Sequence, residues 1–393
     1  MVLPAISELT NRNKMEELFN PHSNNWLLNK FEYYKKLRAL DRAYFSNKYD
    51  LHVITRYRDV VDALANHSVF SSAKGNLIVE DSIRFNMTLG ASDNPTHDIF
   101  KNIVKNAYSK NNIERIGNFY RHKVRESLVN GSTINLSDIA DHTTAWATAE
   151  ILNLPYDKEK VKDLIVGIQR HSRFCVQNNI DQSSAREFDR VVLRCLLHQI
   201  PAEGPGIYHE FVNNNDDKVR VLSLFTGPTI SGASSLTGAI EFLILDLYRQ
   251  GIVGSLLADR SLIPAAINEA LRFNSTTGRF SRTVTEPITV HGVDLKPGDR
   301  VALCLESANR DETEFENPDI FDINRKPGQL AFGHGLHACI ALAISKNLMQ
   351  VFLEEFLDCV GSFRVVTNYS DLEYVMTASG NDDMVSNLII ERI

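Results

Sequence analysis

The sequence has no uncharged apolar run long enough to cross a bilayer, and its first thirty residues lack the basic start and apolar centre of an export signal. These absences predict a cytoplasmic protein with no membrane partner. Cysteine is scarce: five residues, at 175, 195, 304, 339 and 359, odd in number and widely scattered. Such spacing excludes a disulfide framework and fits a reducing compartment, with four of the five expected as core filler. Positive charge is not in excess either, the net charge being −7, so nucleic acid is not an expected partner. Tandem repeats and low-complexity segments are missing, and the 12 prolines form no linker.

What is present is an ordinary globular composition, 43% hydrophobic and 23% charged over 393 residues, enough to bury a large core. Length alone suggests two or three domains, and one large helical domain is also allowed. Leu51 to Arg56 reads as a strand and Tyr57 to Ala65 as a helix that stops near Asn66-His67. Asp93-Asn94-Pro95-Thr96 reads as a helix start, with Asp or Asn as cap and proline in the first turn. That helix carries His97 and Lys101 four residues apart on one face. Helical spacing dominates to Leu257, and strand-like text returns at Arg282 to Val290 and Arg300 to Leu305 around the turn Lys296-Pro297-Gly298-Asp299. The fold class is mainly α with small β-sheets.

The most informative segment is Phe332-Gly333-His334-Gly335-Leu336-His337-Ala338-Cys339, which leads into an apolar-periodic helix through Cys359. A cysteine just before a helix sits where unpaired amides and the positive end of the helix dipole favour a thiolate, which ligates metals. Two upstream glycines allow a tight turn and a close approach to a flat ligand. Other readings fit parts of the segment. Gly333-x-Gly335-x-x-Ala338 matches the dinucleotide fingerprint, but too little chain follows for further β-α-β units. His334, His337 and Cys339 could hold zinc, without a second ligand pair at finger spacing. A buried structural cysteine is the default for any single thiol.

This segment resembles the heme-binding signature of the cytochrome P-450 family, Phe-x-x-Gly-x-x-x-Cys, with Ala341 where a glycine is usual. The resemblance implies the cytochrome P-450 fold, heme b (iron protoporphyrin IX) bonded to Cys339, and Phe332 and His337 against the cofactor. It further implies a charge network of Glu269 and Arg272, from Asn268-Glu269-Ala270-Leu271-Arg272, with Arg325 from a later loop. An isolated Glu-x-x-Arg is a common surface pair. Heme propionates need cations or donors, and the family positions are matched by His97, Lys101, Arg282 and His337; Lys101 stands where arginine is usual and pairs as a point charge.

One departure concerns the helix across the oxygen-binding face, where the family shows Gly-x-Asp/Glu-Thr-Thr. Here the text is Thr226-Gly227-Pro228-Thr229-Ile230-Ser231-Gly232-Ala233-Ser234-Ser235-Leu236-Thr237. One register aligns Ala233, Ser234 and Ser235 with the acid and two threonines; the other places Ser234 at the acid and Ser235 at the alcohol. Both leave the catalytic positions to Ser234 and Ser235 without a carboxylate. Proton delivery would then fall to ordered water, Thr237 or the substrate. The resemblance implies a heme-thiolate monooxygenase that inserts one atom of O2 into a small organic substrate, with electrons from a ferredoxin or flavodoxin type donor. Oxidative coupling, desaturation or peroxide-dependent chemistry, and a non-catalytic heme carrier or sensor, are the alternatives. Substrate contacts are expected from Asn76 to Leu89, Phe174 to Asn178 and Leu224 to Ser231.

Overall fold

A computed structural model describes residues 18–80, 82–154, 156–178, 190–195, 231–325, 328–368, 372–376 and 383–393. Pro228 and the stretch from Leu224 to Ile230 lie outside them.

Nine helices of nine residues or more are found among the described residues. They are α1 (Lys30–Arg38), α2 (Tyr57–Ala65), α3 (Thr96–Val104), α4 (Lys110–Leu128), α5 (Leu136–Leu152), α6 (Lys158–Gln177), α7 (Ala233–Arg249), α8 (Ile263–Phe273) and α9 (Leu342–Cys359). The strands are β1 (Tyr44–Ser46), β2 (Leu51–Ile54), β3 (Phe70–Ser71), β4 (Thr133–Asn135), β5 (Arg279–Val284), β6 (Ile288–Val290), β7 (Val293–Leu295), β8 (Arg300–Cys304), β9 (Phe363–Val365), β10 (Glu373–Met376), β11 (Asp383–Ser386) and β12 (Ile389–Arg392). The main sheet has the order β1-β2-β8-β5-β3, with only β2 and β8 parallel. A second sheet runs β4-β12-β9, and β6-β7 and β10-β11 are separate hairpins. The fold is mainly helical with small sheets, as the sequence indicated.

The largest apolar core gathers the inward stripes of α4, α7, α8 and α9: Ile116, Tyr120 and Val124 meet Leu348, Phe352 and Phe356, while Ile240, Leu243 and Leu247 meet Ile263 and Ile267. These residues recur at helical spacing, so each helix turns one apolar stripe inward. A smaller core lies under the main sheet, against α2.

Two local expectations need correction. Arg282 to Val290 is not one strand: it divides into β5 and β6, because Pro287 cannot donate to a ladder and the chain turns to pair with β7. Asp93 does not cap α3. Pro95 takes the N-cap position, and the Asp93 carboxylate instead accepts from Ser71 Oγ at 2.5 Å and the Ser72 amide at 2.9 Å, tying the helix start to β3.

Candidate active site

The cysteine loop is held from both ends. Leu330 N donates to Asn309 Oδ1 at 2.7 Å, Gly333 N to Leu330 O at 2.8 Å, and Cys339 N to Phe332 O at 2.8 Å. Gly333 and Gly335 have φ of +69° and +72°, a region costly for other L-residues. Gly335 has a second constraint: a Cβ there would lie 2.6 Å from Leu64 O at the end of α2. Its close approach is to α2 backbone, whereas the sequence suggested approach to a ligand.

Cys339 is exposed to a water-sized sphere, yet surrounding protein desolvates it enough to push its thiol above the ordinary value, only partly offset by the Ala341 amide. Helix α9 begins at Leu342, beyond the sulfur. The positive charge of a bound metal would act against this rise and favour the thiolate. Of the other cysteines, Cys175 and Cys304 are buried, Cys359 is half-buried and Cys195 is exposed, so not all four are core filler. No cluster of three metal-ligating side chains occurs among the described residues, which removes the zinc reading, and no parallel β-α-β unit flanks the loop.

Glu269, Arg272 and Arg325 come together as a network. Both Arg272 nitrogens facing Glu269 donate to its carboxylate, at 2.9 and 2.7 Å, and the remaining donors reach the carbonyls of Asn309, Pro318 and Ile320. Glu269 Oε1 also accepts from Asp322 N at 2.9 Å and lies 3.6 Å from Arg325 Nε. Arg325 donates to the carbonyls of Glu316 and Asn317. Glu269 and Arg272 are fully buried, and such charges persist only when all donors and acceptors are met. The chain of bonds continues through Asn309 to Leu330 and so into the cysteine loop. Asn309 was not singled out from sequence; the signal available was its place in Asn309-Arg310-Asp311 ahead of an irregular loop.

His97 on α3 and His337 in the cysteine loop pack edge to face, with ring centroids 4.7 Å apart. Arg282 on β5 is buried and makes no ion pair with any described residue, donating only to Ser281 O at 2.7 Å. Burial lowers its pKa to about 10. His337 is pushed down to about 3, first by burial and then by Arg282, His97, His67 and Lys101, and its buried Nε2 has no partner. Lys101 itself is exposed. His97 Nδ1 lies 3.2 Å from Asp98 Oδ1, and Asp93 acts on Arg282 without pairing with it. Arg282 and His337 Nε2 keep unused polar capacity among the described residues, which carboxylates would complete, so this set fits heme propionates. Phe332 is half-buried beside the main core.

On α7, Ser234 is buried, while Ser235 is half-buried and its Oγ donates to Ser231 O at 2.6 Å. Ala233 packs into the apolar cluster between α5 and α6. Thr237 is turned to the same side: its hydroxyl lies 2.7 Å from Thr144 Oγ1 and accepts from Gln169 Nε2 at 3.3 Å. Within Asn76 to Leu89, Glu80 accepts from the amides of Asn76 and Leu77 and from Arg84, and Asn76 O accepts from Ser281 N beside Arg282. Phe174 is 55% exposed and faces outward at the end of α6.

Comparison with known proteins agrees with this arrangement. A family model described as Cytochrome P450 matches residues 249–369, which span α8, the Arg325 loop and the cysteine loop. The steroid C26-monooxygenase of Mycolicibacterium smegmatis is 26% identical over 347 residues, 83% of this chain and 84% of that one. Cytochrome P450-terp of a Pseudomonas species is 25% identical over 373 residues, covering 83% and 85%. The crystal structure of the Acinetobacter radioresistens CYP116B5 heme domain superposes with a TM-score of 0.82 at 20% identity, over 98% of this chain and 100% of that one. Fold and relatives define a heme-iron oxidoreductase of the monooxygenase class. The chain is similar to the cytochrome P450 family over these matches, and an activity of that class calls for a substrate, O2 and a source of electrons.

Proposed function

We propose that this chain inserts one atom of O2 into a small organic molecule of a biosynthetic pathway, using heme b bonded to Cys339 and electrons from a ferredoxin or flavodoxin type donor. The observation that carries this reading is the cluster of Arg282, His97 and His337 beside the loop that bears Cys339, in which Arg282 is buried and makes no ion pair with any described residue. When bound, the heme supplies thiolate-ligated iron that activates oxygen. The protein does the rest. Cys339 ligates; Arg282, His97 and His337, with Lys101 nearer solvent, neutralise and orient the propionates; Phe332 flanks the cofactor; and Glu269, Arg272 and Arg325 fix the segment before the loop. Ser234 and Ser235 hold the positions from which a hydroxyl hands a proton to the oxygen-binding face; Ser234 is buried on α7, and Ser235 is engaged with the Ser231 carbonyl.

A single domain over residues 1–393 and a cytoplasmic location belong to this reading, the latter supported by the odd number and wide scatter of the cysteines; no described helix is long and apolar enough to cross a membrane. Relatives named pulcherriminic acid synthase, from Bacillus subtilis, and cyclomarin C epoxidase, from Salinispora arenicola, support a biosynthetic substrate. Ala233 at the acid's place favours a second reading, in which the enzyme couples or desaturates its substrate, or draws on peroxide. Turnover under labelled O2 separates the two. One labelled atom per product molecule is the expected outcome; unlabelled product would instead establish the second.

A further inference from the structure

Helices packed in a core normally meet through apolar stripes, but α5, α6 and α7 meet partly through polar ones. Asp141, Thr144 and Thr148 on α5 face Gln169 and Arg173 on α6 and Ser234, Thr237 and Glu241 on α7, and all eight are buried. On both α5 and α7 the polar positions follow i, i+3, i+7, one face of each helix. The seam opens at one end into a cavity of about 390 Å3 lined by Ser137, Asp138, Asp141, Arg170, Arg173 and Gln177. Its other end is Ser234.

Behind the cavity wall stands Glu241, fully buried, with no donor among the described residues reaching either carboxylate oxygen at hydrogen-bond geometry. The charged groups around it explain why. From α6, Arg173 is committed to Asp141 of α5, through Nη1 to Oδ1 at 2.9 Å and through Nη2 to Oδ2. From α5, Ser137 and Asp141 face Glu241, and Arg170 and Asp138 pair further out. From β11 only the Val385 amide approaches. Asp141 thus takes Arg173, and the half-exposed Arg170 at 3.8 Å, while Glu241 has no paired cation among the described residues and keeps its proton. Burial first and Asp141 second push Glu241 up to about 8, against the pull of Arg173 and weaker contacts with Ser137 and Val385.

We propose that this seam delivers protons to the oxygen-binding face, with Glu241 as the internal proton holder in place of the carboxylate missing before Ser234. The proposal rests on the monooxygenase reading above. Glu241 and Thr237 are one helical turn apart, about 5–6 Å between Cβ atoms, a gap that one water bridges. The Glu241 O–H bond breaks as a proton passes to the Thr237 hydroxyl, which releases its own proton toward Ser234, again one turn on. Thr144 Oγ1 donates to Asp141 O at 3.2 Å and so accepts from Thr237 at 2.7 Å at rest, and the relay requires the Thr237 hydroxyl to turn from Thr144 toward Ser234. The Glu241 carboxylate then recovers a proton from cavity water past Asp141 and Arg173. No electrons move in these steps. Glu241 is a positioning residue in this scheme, acting through Thr237 and Ser234.

The test is Glu241→Gln, which keeps size and removes the titratable proton, with Glu241→Asp as the conservative rescue. In the infrared, the wild-type protein is expected to show a buried carboxylic-acid carbonyl band that fades as pH rises through about 8 and that Glu241→Gln lacks. Cumene hydroperoxide reports proton delivery without knowledge of the natural substrate: a proton placed on the departing oxygen gives cumyl alcohol, and unassisted cleavage to the alkoxyl radical gives acetophenone. The alcohol-to-ketone ratio at pH 7 is expected to fall at least about tenfold in Glu241→Gln, the low side of what a positioned donor supplies. It should partly recover in Glu241→Asp. The wild-type ratio should decline above pH 8, while that of Glu241→Gln stays flat. A Glu241→Gln protein with the wild-type ratio and pH profile overturns the proposal; if it also keeps its thiolate spectrum under carbon monoxide, the monooxygenase reading stands. A wild-type protein without that spectrum overturns both.

Discussion

Arg272→Ala is expected to yield protein that does not retain heme. The substitution removes five donors at once and leaves the Glu269 carboxylate buried with only the Asp322 amide and the more distant Arg325. Breaking a buried pair by deleting one partner costs about 3–5 kcal/mol, and the carbonyls of Asn309, Pro318 and Ile320 lose their donor as well. Total stabilities of folded domains are about 5–15 kcal/mol, so the loss is a large share of the whole. It falls on the segment that reaches the cysteine loop through Asn309 and Leu330. Heme absorbance per polypeptide and the thermal midpoint should therefore fall together. Arg272→Lys keeps the charge but not the fork geometry and should lie between. Normal heme occupancy in Arg272→Ala would show that the network does not support the loop.

Asp383→Asn is expected to destabilise the protein by a similar amount, about 3–5 kcal/mol, through a different set of buried charges. Lys30 Nζ lies 2.7 Å from both Glu306 and Asp383; Arg279 lies 2.6 Å from Asp383 and 3.0 Å from Glu306; Tyr34 donates to Glu306 at 2.8 Å. Two cations and two anions balance with almost no exposure, so neutralising one anion leaves an uncompensated positive charge in the interior. The site also joins distant parts of the chain: α1, β5, the end of β8 and β11, whose Asp383 amide donates to Thr276 O at 2.8 Å. Its pH dependence has a definite sign. Burial opposes ionised Asp383, but Arg279 and Lys30 outweigh it and lower the folded pKa; that stabilisation exists above the unfolded carboxylate value and is lost as pH falls through the lower folded one. Burial likewise opposes charged Lys30, and Asp383 with Glu306 outweigh it, raising the folded pKa; that share exists below the unfolded lysine value and is lost as pH rises through the higher folded one. Denaturant midpoints of wild type and Asp383→Asn should differ by a near-constant amount between those limits and converge in strong acid. A difference absent at neutral pH would mean that the pairs contribute nothing net.

Neither network is equally visible in the sequence. Glu269 and Arg272 lie on one helix face, so spacing brings them together, and their order before Arg325 and Cys339 carried the rest of the inference. Lys30, Arg279, Glu306 and Asp383 come from four elements far apart in the chain, and no periodicity connects them. Helix boundaries such as Tyr57–Ala65 and the end of α9 at Cys359 followed from apolar spacing. The short strands β9, β10, β11 and β12 did not, because runs of three or four residues hold too few alternations to register a period. Likewise, His97 and His337 were legible only through resemblance; the burial of Arg282 without an ion pair among the described residues is a property of packing. Glu241 reads in sequence as one acid in an apolar helix, and only the facing stripe on α5 gives it a context.

The account depends most on a sulfur–iron bond at residue 339. The direct measurement is the absorption spectrum of the reduced, carbon monoxide treated protein, taken beside that of Cys339→Ser prepared in the same way. The account predicts the strongly red-shifted band of a thiolate-ligated heme in the wild-type protein and its loss in the variant. A band typical of imidazole ligation in the wild type, unchanged in Cys339→Ser, would contradict it.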